Sequence, residues 1–395
     1  MIPIQLIQQT AETLMDKAAI EIPQDYLDGL KQAAKTEDGD LSSFVLKAML
    51  ENYEAAKEDR RAMCGDTGVP RWFVKMGNEA SVEGGMVALE AALRRATANA
   101  TNGVPLRPNR VHPLWRTDHD NNVGIGAPEI EYGFEPEGEW IDLITVHKGG
   151  LFGTDYRMLF PSDGIEGIKR FYLDSLVAFG KRGLACQPAI IGIGLGGSKD
   201  ICMTLGKRAS TRRVVGDMNP DPKIAEVERE FKELGNSIGM GAMGFVGKSM
   251  VIDCHIECGF CHTGGMPMSV HAFCLSSRRA VARIHADGRV DEVPVHLDEP
   301  RVRVAQDRQQ IKPAETGHGD IENGQTDILR SDQIRHRRTV VGFGHDFHQA
   351  GLFQQLPQTG ADHGMVVGQQ GPDRPLVVGH QAASPRSFSM GSESL

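Results

Sequence analysis

The first sixty residues show the periodic apolar pattern of helices. Apolar side chains recur at intervals of three and four, as in Leu46, Met49 and Leu50, whereas Pro23 and the turn-forming residues at 38–40 interrupt the pattern. The sequence therefore predicts two or three helices in this region.

Beyond this region, apolar runs typical of strands alternate with amphipathic segments typical of helices. The predicted strands lie at 72–76, 140–146 and 188–193, the predicted helices at 85–98, 164–181 and 222–234, and further strands among glycine loops at 239–284. Interleaved strands and helices predict an α/β or α+β domain, which we place at residues 1–298. The Pro-, Asn- and His-containing stretch 101–122 is predicted to be a long irregular loop, a kind of segment that often carries function.

The composition changes after about residue 300. Residues 301–395 contain 12 Gln, against 6 in the first 300, and one Lys beside nine Arg, with no Cys, Trp or Tyr. This part also lacks clear periodicity. We therefore predict an irregular tail at 299–395, which is either a disordered extension or the product of a shifted reading frame.

Charge and composition exclude several classes of protein. The chain has 43 Lys and Arg against 52 Asp and Glu, a net charge of −9, which argues against general binding to nucleic acid or to anionic membranes. The sequence shows no long apolar run and no export leader at its start, so we expect a cytoplasmic protein. Seven cysteines, an odd number, fit free thiols or metal ligands better than a disulfide framework.

A glycine-rich segment offers one candidate function. Gly192, Gly194 and Gly197 follow an apolar run and satisfy the dinucleotide-binding fingerprint, with Asp217 placed 20 positions after the last glycine. A single match is weak, and no repeated βαβ pattern precedes it. The alternative is a tight glycine turn at the end of a strand.

A cysteine triplet offers a second candidate. Cys254, Cys258 and Cys261 have the C-x3-C-x2-C spacing with which radical S-adenosylmethionine enzymes hold an iron–sulfur cluster. The overlapping segment 258–262 also fits c-type haem attachment. The irregular tail that follows is unlike the barrel of radical enzymes, and the alternative is that these are small residues in packed strands.

An ordered set of motifs resembles the class I fumarate hydratase family. The motifs are Leu50–Ala56 running into Cys64–Gly68, Val104–Asn109, Lys148–Gly150, Ala185–Pro188 before the glycine-rich segment, and the segment around Cys274. They cover roughly residues 5–295. Within the family they resemble the amino-terminal domain, or the alpha subunit of two-subunit fumarate hydratases and L(+)-tartrate dehydratases. The implied fold is that of the class I fumarase amino-terminal domain, with a helical amino-terminal region and mixed sheets flanked by helices.

The resemblance implies that Cys64, Cys186 and Cys274 bind a [4Fe-4S] cluster. Thiolates are the usual protein ligands of such clusters, and three of them leave one of the four irons open to substrate. An open iron is a Lewis acid, which assists the addition or removal of water beside a carboxylate. Cys202 matches no family motif and is expected to be a packed thiol.

The resemblance also implies two proton-handling residues. Asp66 would act in proton transfer, as a general acid, and the alternative for it is an Asx-turn or helix-cap role. His262, which lies 12 residues before Cys274, would contact the substrate or handle a proton, and the alternative is a structural histidine.

Substrate binding is assigned on the same basis. Arg107 would pair with a substrate carboxylate through its two-pronged donor geometry, and Arg94 and Arg95 compete with it for this role. Gly149 and Gly150 resemble the glycine run whose backbone approaches the substrate.

Two departures from the family pattern affect the predicted pocket. Many members have Gln where this chain has Gly65, and a third glycine where it has Leu151. These changes bear on the substrate more than on the type of reaction. Our first expectation is the interconversion of fumarate and malate, the second is the conversion of L-tartrate to oxaloacetate, and a methylated C4 dicarboxylate is a third.

The resemblance further implies a partner. In the family, a second domain or beta subunit supplies more substrate-binding arginine and lysine residues and a threonine base, and residues 301–395 resemble neither. We therefore expect an alpha subunit that works with a beta subunit, as a heterodimer or a dimer of heterodimers. The alternative is a non-catalytic iron–sulfur protein that lacks half of the active site.

Overall fold

The computed structural model describes residues 1–293, apart from 104–105, 118–119, 150–152, 184–185 and 275–276. The predicted domain boundary at 298 and the predicted tail lie outside the described residues.

Three helices form the amino-terminal region, as the apolar periodicity predicts. They are α1 (Ile4–Ile20), α2 (Gln24–Thr36) and α3 (Asp40–Glu58). Pro23 immediately precedes α2, a position where its fixed φ angle and missing N–H do not disturb the helix.

The remaining helices and strands alternate along the chain. In chain order they are β1 (Val69–Gly77), α4 (Gly85–Gly103), β2 (Glu129–Glu135), β3 (Trp140–Lys148), β4 (Thr154–Leu159), α5 (Gly164–Lys181), β5 (Ala189–Gly196), α6 (Lys199–Arg212), α7 (Pro222–Asn236), β6 (Val251–Gly259), β7 (Met266–Phe273), β8 (Arg279–His285) and β9 (Val290–Asp291). Among the described residues, no helix has the length and apolar character needed to cross a membrane.

The strands form two mixed sheets. The first has the order β2-β1-β3-β8-β9 and the second the order β4-β7-β5-β6. β1 with β2 and β5 with β6 are parallel pairs, and the other neighbours are antiparallel. With helices packed around these sheets, the predicted α/β class is confirmed.

A shared apolar core joins the two sheets. One core lies between α1, α4 and the first sheet, and another lies between α5, α7 and the second sheet. The core at the junction takes side chains from α2, α3 and both sheets, including Tyr26, Leu46, Phe73, Ile190 and Phe273. Burial of one large apolar side chain is worth about 1.5–3 kcal/mol, so this junction holds the sheets firmly together.

The glycine-rich segment allows a helix to pack closely on a strand. β5 extends through Gly196, and a Cβ atom on Gly192 or Gly194 would collide with the backbone of α6. Gly196 and Gly197 have positive φ angles and make the turn that follows the strand. The structure therefore agrees with the alternative given above, a tight glycine turn at the end of a strand.

Candidate functional site

Three cysteines that are far apart in sequence come together at the junction of the sheets. Cys64 lies between α3 and β1, Cys186 precedes β5, and Cys274 directly follows β7. Burial, and after it the neighbouring Cys274 and Cys64 thiols, raise the pKa of the Cys186 thiol to about 11. The same three thiols act electrostatically on the buried hydroxyl of Tyr53, whose pKa is raised by burial and then by these neighbours.

Gly149, just after β3, has its α-carbon against this thiol group. A Cβ atom there would lie 3.3 Å from the Cys274 Sγ, 3.3 Å from the Asp66 Oδ2 and 2.5 Å from the Arg278 Nη2. These three atoms therefore surround the position of that Cβ atom, and a side chain at 149 would clash with Arg278 Nη2. Gly150, the other predicted backbone contact, lies outside the described residues.

Asp66 combines a turn-forming oxygen with a second oxygen that faces the thiols. Its Oδ1 accepts hydrogen bonds from the Gly68 N–H at 3.1 Å and the Asn109 Nδ2 at 3.0 Å. The first of these is the Asx turn given above as the alternative role. No described residue donates to Oδ2, which is the oxygen next to Gly149. The turn fixes the carboxylate and leaves that oxygen available for chemistry.

A backbone contact holds Gly68 in place. Its φ angle is +83°, and a Cβ atom there would lie 2.5 Å from the His147 carbonyl oxygen. Only glycine fits this conformation and this close approach, so the loop that carries Cys64 and Asp66 is fixed against the end of β3.

Arg107 lies beside the Asp66 loop. Its backbone N–H donates to the Thr67 Oγ1 at 2.8 Å, and its carbonyl accepts from the Asn122 Nδ2 at 3.1 Å. The residue is exposed, and no ion pair of its guanidinium occurs within the described part of the chain. Arg107 is therefore placed where it could meet a carboxylate that enters from solvent.

The two competing arginines face elsewhere. Arg94 donates to the Glu90 carboxylate and to the Ala127 carbonyl, and Arg95 donates to the Gln8 amide oxygen. Both side chains are thus engaged in contacts with α4, with α1 and with the loop before β2, whereas the Arg107 guanidinium has no ion pair among the described residues.

Cationic side chains extend from the thiols toward α6. Lys148 is buried, and its Nζ donates to the Ala272 carbonyl at 2.6 Å. Burial lowers its pKa to about 8, with Cys274 opposing and Lys207 adding to the shift. His271 is buried nearby, and its pKa is lowered by burial and then by Lys148, Lys207 and Arg71. Lys207 pairs with Glu129 at 3.6 Å, whereas Lys148 forms no ion pair with any described residue, so Lys148 is the cation of this region that suits an anionic ligand.

The role of His262 in contacting substrate or handling a proton stays a prediction. His262 is exposed and precedes β7, whereas Cys274 follows that strand. Extended strand rises about 3.3 Å per residue, so the length of β7 separates the two positions by more than 20 Å. The Nδ1 atom of His262 instead accepts from the Gly264 N–H in the local turn.

The C-x3-C-x2-C triplet does not form a ligand set. Cys254 and Cys258 both lie in β6, where a separation of four residues amounts to about 13 Å. Cys254 is buried, whereas Cys258 and Cys261 are exposed. Cys202 is fully buried and its Sγ donates to the Gly194 carbonyl at 3.2 Å, as expected of a packed thiol.

Arg278 is the site residue that the sequence analysis missed. Its side chain is buried against the Asp66 loop, although it follows the Cys274 loop in sequence. The only available signal was its place in the motif around Cys274, which did not indicate contacts with residues more than a hundred positions away.

Three cysteine thiols are a donor set that suits an iron–sulfur cluster. Within the described ranges, no three His, Cys, Asp or Glu side chains are arranged to hold one metal ion. A cluster of several irons has its thiolates spread around it, each on a different iron. Cys64, Cys186 and Cys274, which influence one another across a shared space, fit that requirement.

Comparison with known proteins gives a consistent picture. The profile of the family described as Fumarate hydratase (Fumerase) matches residues 8–283. A protein of Methanocaldococcus jannaschii that is provisionally named L(+)-tartrate dehydratase subunit alpha is 38% identical over 289 residues, which is 72% of this chain and 99% of the relative. The L(+)-tartrate dehydratase subunit alpha of Escherichia coli strain UTI89 is 31% identical over 269 residues, 67% of this chain and 86% of the relative.

Proposed function

The chain belongs to the fumarate hydratase (Fumerase) family and is a hydro-lyase, and from this premise we propose that it is the alpha subunit of an iron–sulfur C4-dicarboxylate hydratase. The observation that carries this proposal is the meeting of Cys64, Cys186 and Cys274 beside the open Oδ2 oxygen of Asp66. A non-catalytic iron–sulfur protein would not need a fixed carboxylate at that point.

A bound [4Fe-4S] cluster, held by Cys64, Cys186 and Cys274, supplies a Lewis-acidic iron that assists departure of a hydroxyl group. Asp66 holds or delivers the proton at Oδ2, because its Oδ1 is committed to the turn. Gly149 lets Arg278 Nη2, Cys274 Sγ and Asp66 Oδ2 approach one point that a side chain would block.

The charges around the site select the class of substrate. Arg107 binds one carboxylate at the exposed side, and the buried Lys148 favours an anion over a neutral molecule.

L-Tartrate is the substrate that we favour, with fumarate and malate as the second candidate. A Cβ atom on Gly65 would meet nothing within 4 Å, so there is open space beside Asp66. Tartrate carries one hydroxyl group more than malate and can use this space. The relatives named above are L(+)-tartrate dehydratase alpha subunits.

A beta subunit completes the enzyme in this proposal. The relatives carry the name of an alpha subunit, and the described residues offer few exposed cations at the site apart from Arg107. We expect a heterodimer or a dimer of heterodimers, with substrate held between the subunits. The cytoplasmic location stays a prediction.

Anaerobic reconstitution followed by iron and sulfide analysis tests the proposal. We expect about four irons per chain in the wild type and loss of the cluster in Cys64→Ser, Cys186→Ser and Cys274→Ser. Cys258→Ser is the matched control and should retain the cluster, since its thiol lies on β6 and is exposed. Cluster loss in Cys258→Ser alone would contradict the assignment.

Activity is measured next, with L-tartrate, malate and fumarate as substrates. The reconstituted chain should turn over L-tartrate when mixed with a beta subunit of a two-subunit tartrate dehydratase and should be nearly inactive without it. Full activity of the chain alone would show that no second subunit is needed.

A further inference from the structure

Among the described residues, the buried arginines have carboxylate partners, apart from Arg278 at the site. Arg213 pairs with Glu228 and Asp217, Arg279 pairs with Asp25, and Arg71 pairs with Glu129 and Glu131. Arg278 is only 1% exposed and forms no ion pair with any described residue. Its contact with Asp66 is to the backbone carbonyl and not to the carboxylate.

The donors of Arg278 are only partly used. Its Nε donates to the His147 carbonyl at 3.2 Å and its Nη1 donates to the Asp66 carbonyl. Its Nη2 finds no acceptor in the part of the chain that the structure describes, although the atom is buried. A buried cation with an unused donor costs free energy unless an anion or acceptor compensates it.

The unused donor borders the thiol site. The Nη2 atom shares the point near Gly149 with the Cys274 Sγ and the Asp66 Oδ2. The charge of Arg278 also acts on Cys186 and Tyr53, in the direction that favours their anionic forms. The cation is therefore built into the same space as the three thiols.

We propose that Arg278 is a positioning residue that supplies the counter-charge for the anionic group bound by the three cysteines. Two donors fix the Asp66 loop against β3, and Nη2 donates to the sulfur atoms of the bound group. Hydrogen bonds to cluster sulfurs and local charge control how firmly a cluster is held and its reduction potential. This inference rests on the proposed function, because it requires a cluster at the site.

The test compares Arg278→Gln and Arg278→Lys with Arg279→Gln. Arg279 is the matched control, because it is the neighbouring residue, is buried and donates to Asp25 and to the Arg213 carbonyl. The readouts are iron and sulfide per folded chain after anaerobic reconstitution, the rate of cluster loss in air, and the thermal midpoint of the chain without iron.

Arg278→Gln should lose the cluster at least about tenfold faster in air than the wild type, as outer-shell substitutions at metal sites do. Without iron, its thermal midpoint should fall less than that of Arg279→Gln, because the substitution also removes an uncompensated buried charge. Arg279→Gln should unfold earlier but retain iron normally in the folded fraction. Arg278→Lys keeps the charge and should lose the cluster at an intermediate rate.

Two results would overturn the inference in distinguishable ways. If the wild type holds a cluster and both Arg278 variants hold it equally well, Arg278 has a structural role only and the proposed function survives. If the wild type itself takes up no iron, the proposed function fails together with this inference. Should Arg278→Gln not fold, the rate of cluster loss from Arg278→Lys decides: a rate equal to that of the wild type contradicts the inference.

Discussion

Two of the buried regions that contain arginines differ in how the arginines are paired. Around Glu131 the arginines have a carboxylate partner within the chain: Arg71 pairs with Glu131 at 2.7 Å, Arg212 lies 3.8 Å away and Arg208 also donates to it. Around Arg278 the pairing is left open: it forms no ion pair with any described residue, although the Cys274 thiol and the Asp66 carboxylate lie near its Nη2 atom. The first group of arginines is paired within the chain, whereas Arg278 keeps a buried donor without an acceptor among the described residues.

We call the paired group of Glu131, Arg71, Arg208 and Arg212 the closed cluster, and the surroundings of Arg278 the open region. The closed cluster is architectural, whereas the open region is the candidate site. Glu131 lies on β2 in the first sheet, and Arg208 and Arg212 lie on α6, which packs on the second sheet. The ion pairs of Glu131 therefore connect the first sheet to α6 and reinforce the apolar core at the junction of the sheets. The open region lies at that same junction, so the closed cluster helps to fix the walls of the site.

The largest expected effect is on catalysis in the open region. Asp66→Asn should retain the cluster and lower kcat by about 10²–10⁴, because the substitution removes the proton-handling oxygen but not the turn. Iron analysis and initial rates of the assembled enzyme with L-tartrate check this. Asp59→Asn, an exposed aspartate outside the site, is the control. An Asp66→Asn enzyme with near-normal kcat would leave Asp66 only its role in the turn.

Breaking the closed cluster should affect stability and not chemistry. Glu131→Gln should lower the free energy of unfolding by about 3–5 kcal/mol, because it leaves several arginines at the sheet junction without their shared anion. Urea unfolding measures this.

The matched control for Glu131→Gln is Glu51→Gln. The Glu51 carboxylate lies 4.0 Å from Lys47, and both side chains are largely exposed, so the change should stay below about 0.5 kcal/mol. Equal effects of the two substitutions would show that the buried cluster is no more important than a surface pair.

The Glu37 carboxylate extends the comparison, because neutral hydrogen-bond donors stabilise it and not arginines. Burial alone would raise the pKa of Glu37, but hydrogen bonds from the Gly39 N–H, the Ser42 hydroxyl, Ser249 and the Lys248 N–H lower it to about 2. Since the folded-state pKa lies below the unfolded value of 4.5, the stabilisation is present above about pH 4.5 and is lost as the pH falls toward 2.

Glu37→Gln should therefore cost about 1–2 kcal/mol at pH 7, after allowance for the partial exposure of this residue. The difference from wild type should shrink as the pH is lowered from about 4.5. Urea unfolding at a series of pH values measures both, and a difference that does not depend on pH would contradict this explanation.

The smallest expected effect on stability is at Gly65. Gly65→Gln should change the free energy of unfolding by less than about 0.5 kcal/mol, because a Cβ atom there meets open space. The added side chain should instead raise the KM for L-tartrate relative to malate, which steady-state kinetics would show. An unchanged KM ratio would mean that the space beside Asp66 is not used by substrate.

Much of the fold could be predicted because it is determined locally. Helix α5 begins and ends where its amphipathic pattern does, at Gly164 and Lys181. Strand β2 was missed because it is a half-exposed edge strand with charged residues, and α6 was missed because small and polar residues make up most of it. The small residues of α6 instead lie close against the glycines of β5.

The site was predictable only in part, since it depends on contacts between distant segments. Spacing could not join Cys64, Cys186 and Cys274, and the resemblance to a family supplied that set. For His262 the same resemblance supplied a role that stays a prediction, since His262 and Cys274 lie at opposite ends of β7. Arg278 was missed because its partners, His147 and Asp66, are remote in sequence.

The three thiols come from segments that precede β1, precede β5 and follow β7, and this arrangement has a consequence for biogenesis. Contacts between distant segments form late, since long loops must close before the ends can meet. If the three thiols bind the proposed cluster, iron would meet a complete set of ligands only after Cys274 has left the ribosome and β7 has paired with β5. Loading with iron would then mark chains that have finished folding and leave unfinished ones without metal.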